Sequence, residues 1–303
     1  MQSRRWFDLI NGKFLVGHEQ DFDLGTGVTV IVAKEGAVGG VSVRGGAPGT
    51  RETDLLKPMN MVQNIHSVVL SGGSAFGLEA SSGVMRYLHE LGIGFQAGNH
   101  IVPIVTQAVI FDLNYKGFAY PGINMGYTAA AGAQTDNFAS GFIGAGTGAT
   151  IGKALGSENS SKGGLGIAHL KLKDGVEIAA IIVVNAFGDV FDNNGKFLSG
   201  IKNEDGISTV DLLLRDSNSY DFSGQNTTIG CIMTNAKLNK EMVNKLADTA
   251  HNGLALNIRP VHTAFDGDTV FALSSNEIET DFLTLQTACV EVVRKAIVNS
   301  VSG

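Results

Sequence analysis

The sequence predicts a layered fold that mixes strands with helices, α+β or α/β. Two observations carry this expectation. Short β-branched runs alternate with helical patterns along the whole chain, and several strands sit close enough to be hairpin-linked. Hydrophobic residues make up 44% of the 303 residues and charged residues only 17%, so a large core can form and wholesale disorder is excluded.

The elements follow in order. Residues 27–33 and 38–43 read as two strands, with a turn between them near Gly36, Gly39 and Gly40. Residues 67–70 form a buried strand that runs into Ser71-Gly72-Gly73-Ser74-Ala75-Phe76-Gly77. A helix is expected over 78–91, with Val84, Leu88 and Leu91 on one face. Residues 108–111 read as a strand and 125–133 as a short helix of small residues. Beyond the Gly-rich segment 141–166, strands at 167–172 and 178–184 are joined by a hairpin turn at Lys173-Asp174-Gly175. Asp192-Asn193-Asn194-Gly195 is a turn. Residues 202–225 are polar and read as an exposed loop, with room for a helical turn at 210–214. A strand at 228–234 follows. Asn239 then caps a helix through Met242, Leu246 and Ala250. A strand at 270–274 precedes a helix at 281–298, with Leu285, Cys289, Val292, Val293 and Ala296 on one side.

Composition excludes several classes. The net charge is −7 and Lys and Arg are scattered, which argues against nucleic acid as a partner. No apolar run approaches 18 residues, so no membrane span is expected. Arg4-Arg5 lacks the apolar stretch of a signal peptide, and the expected location is cytoplasmic. Cys231 and Cys289 read as buried free thiols. The 40 glycines follow no collagen period. They are unevenly spread: only Gly230, Gly253, Gly267 and Gly303 follow residue 226. The rest are expected where loops bring backbone close to a site or a partner.

Several motifs fail. Around Gly152-Lys153, Thr147 stands where a phosphate loop needs its first Gly, and Ala154 replaces the metal-binding hydroxyl. Gly144-Ala145-Gly146-Thr147-Gly148-Ala149 lacks the acidic partner of a dinucleotide site about 20 residues on. Gly72-Gly73-Ser74-Ala75-Phe76 misses the last position of a nucleophile elbow. The histidines show no paired ligand spacing, so no metal is expected.

Two segments remain. In Asn226-Thr227-Thr228-Ile229-Gly230-Cys231 a polar loop ends abruptly in a strand. This is either a plain loop-to-strand turn or a self-cleaving bond. In the second case the Thr227 hydroxyl attacks the Asn226 carbonyl, and water releases a new N-terminus. Thr227 then carries a nucleophilic oxygen and an α-amine whose ordinary pKa is about 7.7–8.0, suited to accept a proton. In the second segment, Asp266-Gly267-Asp268, the two carboxylates are two residues apart and share a side of an extended chain. They form either a turn before a strand or a coupled proton-carrying pair.

These segments, with His262-Thr263 and Thr269-Val270-Phe271-Ala272-Leu273, resemble the autoprocessing L-aminopeptidase/D-esterase family. Its relatives include the β-peptidyl aminopeptidases and the nylon-oligomer (6-aminohexanoate-oligomer) endohydrolases. The match extends back to residues 71–79, 108–112 and 144–148, and to Lys153 and Val184-Asn185. The resemblance implies an α+β, four-layer αββα sandwich of the N-terminal-nucleophile type, one domain over 1–303. It implies self-cleavage between Asn226 and Thr227 into a 1–226 α chain and a 227–303 β chain. It implies catalytic Thr227, Asp266, Asp268, Lys153 and Asn185, with no cofactor, no metal, and a homo-oligomer (a tetramer of αβ units). Phe111 departs from the Tyr often found in the family. The Thr nucleophile and the Asp-Gly-Asp pattern lean toward the nylon-hydrolase side.

The expected activity is hydrolysis of short peptides or linear oligoamides through an acyl-enzyme on Thr227. The alternatives are an ornithine-acetyltransferase-like N-acyl transferase and a non-catalytic binding protein. Denaturing electrophoresis with N-terminal sequencing tests the binding-protein reading, since a second piece beginning at Thr227 is expected and one beginning at Thr228 would displace the nucleophile; incubation with acetyl-ornithine and glutamate tests the transferase reading.

Overall fold

The computed structural model describes residues 10–215 and 226–302. Its main sheet contains β1 (Leu15–Asp21), β2 (Thr26–Val43), β3 (Thr50–Arg51), β4 (Asn64–Ser71), β5 (Val105–Val109), β6 (Gly164–Lys171), β7 (Glu177–Asn185), β8 (Thr227–Ala236) and β9 (Thr269–Ile278). They lie in the order β6-β7-β8-β9-β2-β4-β5-β3, with β1 also paired to β2. The helices are α1 (Ala80–Glu90), α2 (Ile123–Ala131), α3 (Thr209–Arg215), α4 (Lys240–Asn257) and α5 (Phe282–Ser300).

Strand β2 explains how one hydrogen-bonded sheet makes two layers. It is 18 residues long and serves two partners. Its first half pairs β4, from Val28↔Ser71 to Val32↔Ser67. Its second half pairs β9, from Val38↔Ser274 to Val43↔Thr269. Between the halves the register against β4 shifts, and Gly36 takes φ +78°. An irregularity of this kind bends a strand. The two expected strands and the turn between them are therefore one bent strand.

Side-chain alternation then sorts the core. On β7, Ile178, Ala180, Ile182 and Val184 pack with Val243, Leu246, Leu285 and Val292 of α4 and α5. The intervening Ala179, Ile181 and Val183 face the opposite way, against Ile31 of β2 and Val68 and Leu70 of β4. On β2, Val28, Val30 and Val32 point away from that inner cluster, toward Val84, Leu88 and Ala129 of α1 and α2. A period of two on each strand thus gives helices, sheet, sheet and helices. This is the expected αββα sandwich.

Most expected elements are present with shifted ends. Gly164–Lys171 and Glu177–Asn185 form the expected antiparallel hairpin. Asn239 caps α4 by accepting from Met242 N, and Asp281 caps α5 by accepting from Thr284 N. The helical turn expected at 210–214 is α3, while residues 216–225 of the expected loop lie outside the described residues. Leu91 falls just beyond α1 and is half-exposed, so it is not on the buried face. Cys231 and Cys289 are buried free thiols, as expected. Strand β1 was not expected, because its sequence LVGHEQD is largely polar. No helix of the described residues is long and apolar enough to cross a membrane.

The glycine excess is not confined to loops. A Cβ on Gly166 of β6 would lie 1.8 Å from the Ala296 carbonyl oxygen of α5. A Cβ on Gly83 of α1 would lie 1.9 Å from the Ile123 carbonyl oxygen of α2. Backbones pack against each other directly at both places. Gly166→Ala must push α5 off the sheet, and a loss of about 3 kcal/mol in urea unfolding is expected. A loss below about 1 kcal/mol would show that α5 shifts freely.

Candidate active site

Strand direction brings the site together. β8 and β9 run parallel, in register Ile229↔Thr269, so both begin at the same end of the sheet. β7 runs antiparallel to β8, so its last residue, Asn185, sits opposite Thr227, the first residue of β8. The bend before β9 extends the pairing by a parallel bridge, Asn226↔Asp266. Asn226, Thr227, Asp266, Gly267, Asp268 and Asn185 therefore meet at one edge, and all four of the polar side chains at 227, 266, 268 and 185 are buried.

The Asn226–Thr227 bond lies within this group. The Thr227 hydroxyl donates to the Asn226 carbonyl oxygen. The same oxygen accepts from Gly267 N at 2.9 Å. A Cβ on Gly267 would approach Thr227 Oγ1 to 2.8 Å, so this position has room only for hydrogen. The residue between the two aspartates is a glycine because the hydroxyl lies against it.

The two aspartates are held differently. Asp268 accepts from Thr228 N at 2.6 Å through Oδ1, and from His262 N at 3.1 Å through Oδ2. Asp266 accepts from Thr263 N at 2.7 Å. Burial, and then the charge of Asp268, push the Asp266 carboxyl up to about 6. The sequence pattern proposed a coupled pair, and the structure brings the two together beside Thr227.

Lys153 is reached through Asn185. Its ammonium donates to Asn185 Oδ1 at 2.8 Å and to the Asn185 carbonyl at 3.1 Å. Asn185 Oδ1 also accepts from Thr150 N at 3.0 Å, and its amide donates to the Phe111 carbonyl at 3.1 Å. Position 111 thus contributes its backbone, which the missing Tyr hydroxyl leaves untouched. Burial pulls the Lys153 amine from 10.5 down to about 7, opposed chiefly by the negative charge of Asp266. A lone Lys in a Gly-rich segment reads as a surface residue, yet this one is buried.

A cavity of about 370 Å³ opens beside Lys153 and Phe111, lined also by Asp112, Tyr115, Glu158, Lys162 and Lys202. The sequence singled out neither Asp112 nor Lys162 of this lining as functional. Asp112 accepts from Thr26 Oγ1 at 2.8 Å and Gly73 N at 2.6 Å, and burial pushes it up to about 6. Lys162 donates to the carbonyls of Gly146, Thr147 and Ala149, and burial lowers it to about 7. Asp112 ties down the Gly72-Gly73 segment that failed as a nucleophile elbow, and Lys162 the glycine loop that failed as a nucleotide site. Long-range pairs such as Thr26–Asp112 leave no local pattern, so the sequence held no signal for them. Among the described residues no three His, Cys, Asp or Glu side chains gather to hold a metal.

The chain is similar to several known proteins. Residues 12–303 match peptidase family S58. An uncharacterized aminopeptidase of Mycobacterium leprae (strain TN) is 41% identical, over 87% of this chain and 77% of its own. A 6-aminohexanoate-oligomer endohydrolase of Kocuria sp. (strain KY2) is 32% identical, over 84% of this chain and 70% of its own. Among solved structures, a Burkholderia sp. β-aminopeptidase superposes with a TM-score of 0.69 at 21% identity, covering 98% of this chain and 86% of its own. The L-aminopeptidase D-Ala-esterase/amidase of Ochrobactrum anthropi, described as a variant of the Ntn hydrolase fold, does so with 0.70 at 18%, covering 95% and 83%. The chain belongs to peptidase family S58 and is a hydrolase of amide bonds.

Proposed function

We propose that this chain is an autoprocessing hydrolase whose nucleophile is Thr227, acting on short peptides or linear oligoamides. The observation that carries the reading is the carbonyl of Asn226, which receives both the Thr227 hydroxyl and the Gly267 N–H. Attack by Thr227 Oγ on that carbonyl carbon places negative charge on the oxygen, where the Gly267 N–H already donates. The C–N bond to Thr227 breaks, the acyl group passes to Oγ, and the Thr227 nitrogen takes up a proton. Water then hydrolyses the ester, leaving the Asn226 carboxylate and a free Thr227 amine.

Substrate hydrolysis reuses the same oxygen. The freed amine has an ordinary pKa of about 7.7–8.0 and accepts the hydroxyl proton as Oγ attacks the substrate amide. Asp266, pushed up to about 6, lies beside the site as a proton carrier near neutrality. Lys153, which lines the cavity and is anchored by Asn185, stabilises charge at the reaction centre. The acyl-enzyme forms as the amine leaves, and water releases the acid. The names of the two relatives, an aminopeptidase and an oligoamide endohydrolase, support this substrate class.

Two predictions follow from these roles. Thr227→Ala stays a single chain by intact mass and loses at least about 10⁴-fold in kcat across a panel of dipeptide amides, β-peptides and 6-aminohexanoate oligomers. Normal self-cleavage of that variant, or acetyl transfer from acetyl-ornithine to glutamate without amide hydrolysis by the wild type, would overturn the reading.

The second concerns Lys153. Its folded pKa of about 7 lies below the 10.5 of an unburied amine, so the unfolded chain binds more protons between these values. This contribution to stability therefore rises with pH from 7 toward 10.5. In an uncleavable Thr227→Ala background, the chain with Lys153 should gain on the chain with Lys153→Met as urea unfolding moves from pH 7 to 10. A difference independent of pH would place the amine in solvent.

A further inference from the structure

Two histidines close the side of Asp268 that faces away from Thr228. His262 contributes its backbone N–H at 3.1 Å and its Nδ1 at 2.8 Å, both to Asp268 Oδ2. A carboxylate oxygen only accepts here, so Nδ1 carries the proton. One residue reaches one oxygen twice because its backbone is left-handed, φ +59°, a conformation that non-glycine residues seldom adopt. The opposite ring nitrogen, Nε2, is buried and has no hydrogen-bond partner among the described residues.

His251 of α4 packs edge-on against that ring, centroids 4.7 Å apart. Its Nε2 donates to the Ser42 carbonyl at 3.1 Å, which fixes its tautomer as well. Its Nδ1 is likewise buried without a partner among the described residues. Burial pulls His251 down to about 4, so it faces His262 as a neutral ring. The charged and titratable groups beside the two rings are Asp268, in contact with His262, and Arg44, just past the end of β2, whose charge acts on His251.

Asp268 thus accepts three N–H donors, from Thr228 N, His262 N and His262 Nδ1. Three donors converging on one carboxylate fix its orientation. Asp268 Oδ1 holds the amide directly after Thr227, so its orientation sets where the Thr227 backbone lies.

We propose that His262 is a positioning residue of this site: its side-chain N–H fixes the orientation of the Asp268 carboxylate, whose other oxygen holds the amide directly after Thr227. The proposal rests on Thr227 as the nucleophile of self-cleavage.

The experiment uses the full chain made by cell-free translation, with self-cleavage timed by intact mass from pH 5.5 to 9. It compares wild type with His262→Ala, His262→Phe, which keeps the ring without the donor, and His262→Asn, whose side-chain amide reaches like Nδ1–H. His262→Ala and His262→Phe should slow cleavage at least about tenfold, the cost of losing a hydrogen bond to a charged group. His262→Asn should stay within about threefold of wild type. Wild-type rates in the first two variants would overturn the proposal. So would a His262→Asn as slow as His262→Ala, because the ring and not the donor would then matter. A wild-type chain that never separates at 226/227 would overturn the nucleophile reading and this proposal with it, an outcome visible before any His262 variant is compared.

Discussion

The parallel pairing of β8 with β9 is the constraint on which the site depends. Parallel strands start at the same end of a sheet, and an antiparallel neighbour finishes there. Thr227, the Asp-Gly-Asp bend and Asn185 lie far apart in sequence, yet each occupies the strand end that this geometry assigns to it. The helix between β8 and β9 makes the parallel crossover possible, and α4 is capped and buried on the face that packs against that half of the sheet. The packing that builds the core and the convergence of the polar groups are consequences of one topology.

Burial then determines the chemistry. The sheet end is covered, so a lysine and two aspartates share a volume from which water is largely excluded. Desolvation penalises each charged form, moving Asp266 up and Lys153 down until both lie near neutrality. Their mutual attraction works against both shifts and keeps the charges from vanishing altogether. Isolated in water, these groups would titrate more than six units apart. Packed here, both are shifted toward neutrality.

How much of this was legible in the sequence depended on whether the signal was local. The hairpin of β6 and β7, the Asn239 cap and the buried face of α5 follow from spacing and propensity, and all three are present. The bend in β2 was misread as a turn between two strands, because a Gly-rich bulge and a Gly-rich turn have the same composition. Among site residues, Thr227 and the two aspartates stood out by type and setting. Lys153 and Asn185 carried no local signal and were placed only through resemblance. Asp112 meets partners brought near only by the fold, so no window of sequence isolates it, whereas His262 lies six residues from Asp268 and needs the turn between them to reach it.

The uneven spread of glycine acquires a structural meaning through the same topology. Residues from 227 onward supply β8, β9, α4 and α5, the interior of one sheet layer with the helices that cover it. These strands are held by packed side chains and need few glycines. β8 pairs β7 along Ile178–Asn185, and β9 pairs β2 along Val38–Val43, so this segment is hydrogen-bonded on both sides to residues that precede position 227. A cut before Thr227 would therefore free one amine without freeing the piece that carries it. Two ladders and a shared core would keep the new N-terminus against Asp266 and Asp268, which travel with it on the same piece, and against Lys153 and Asn185, which do not. A break in the backbone at this point would alter the chemistry of only the two residues it separates, while leaving intact the ladders that place Thr227.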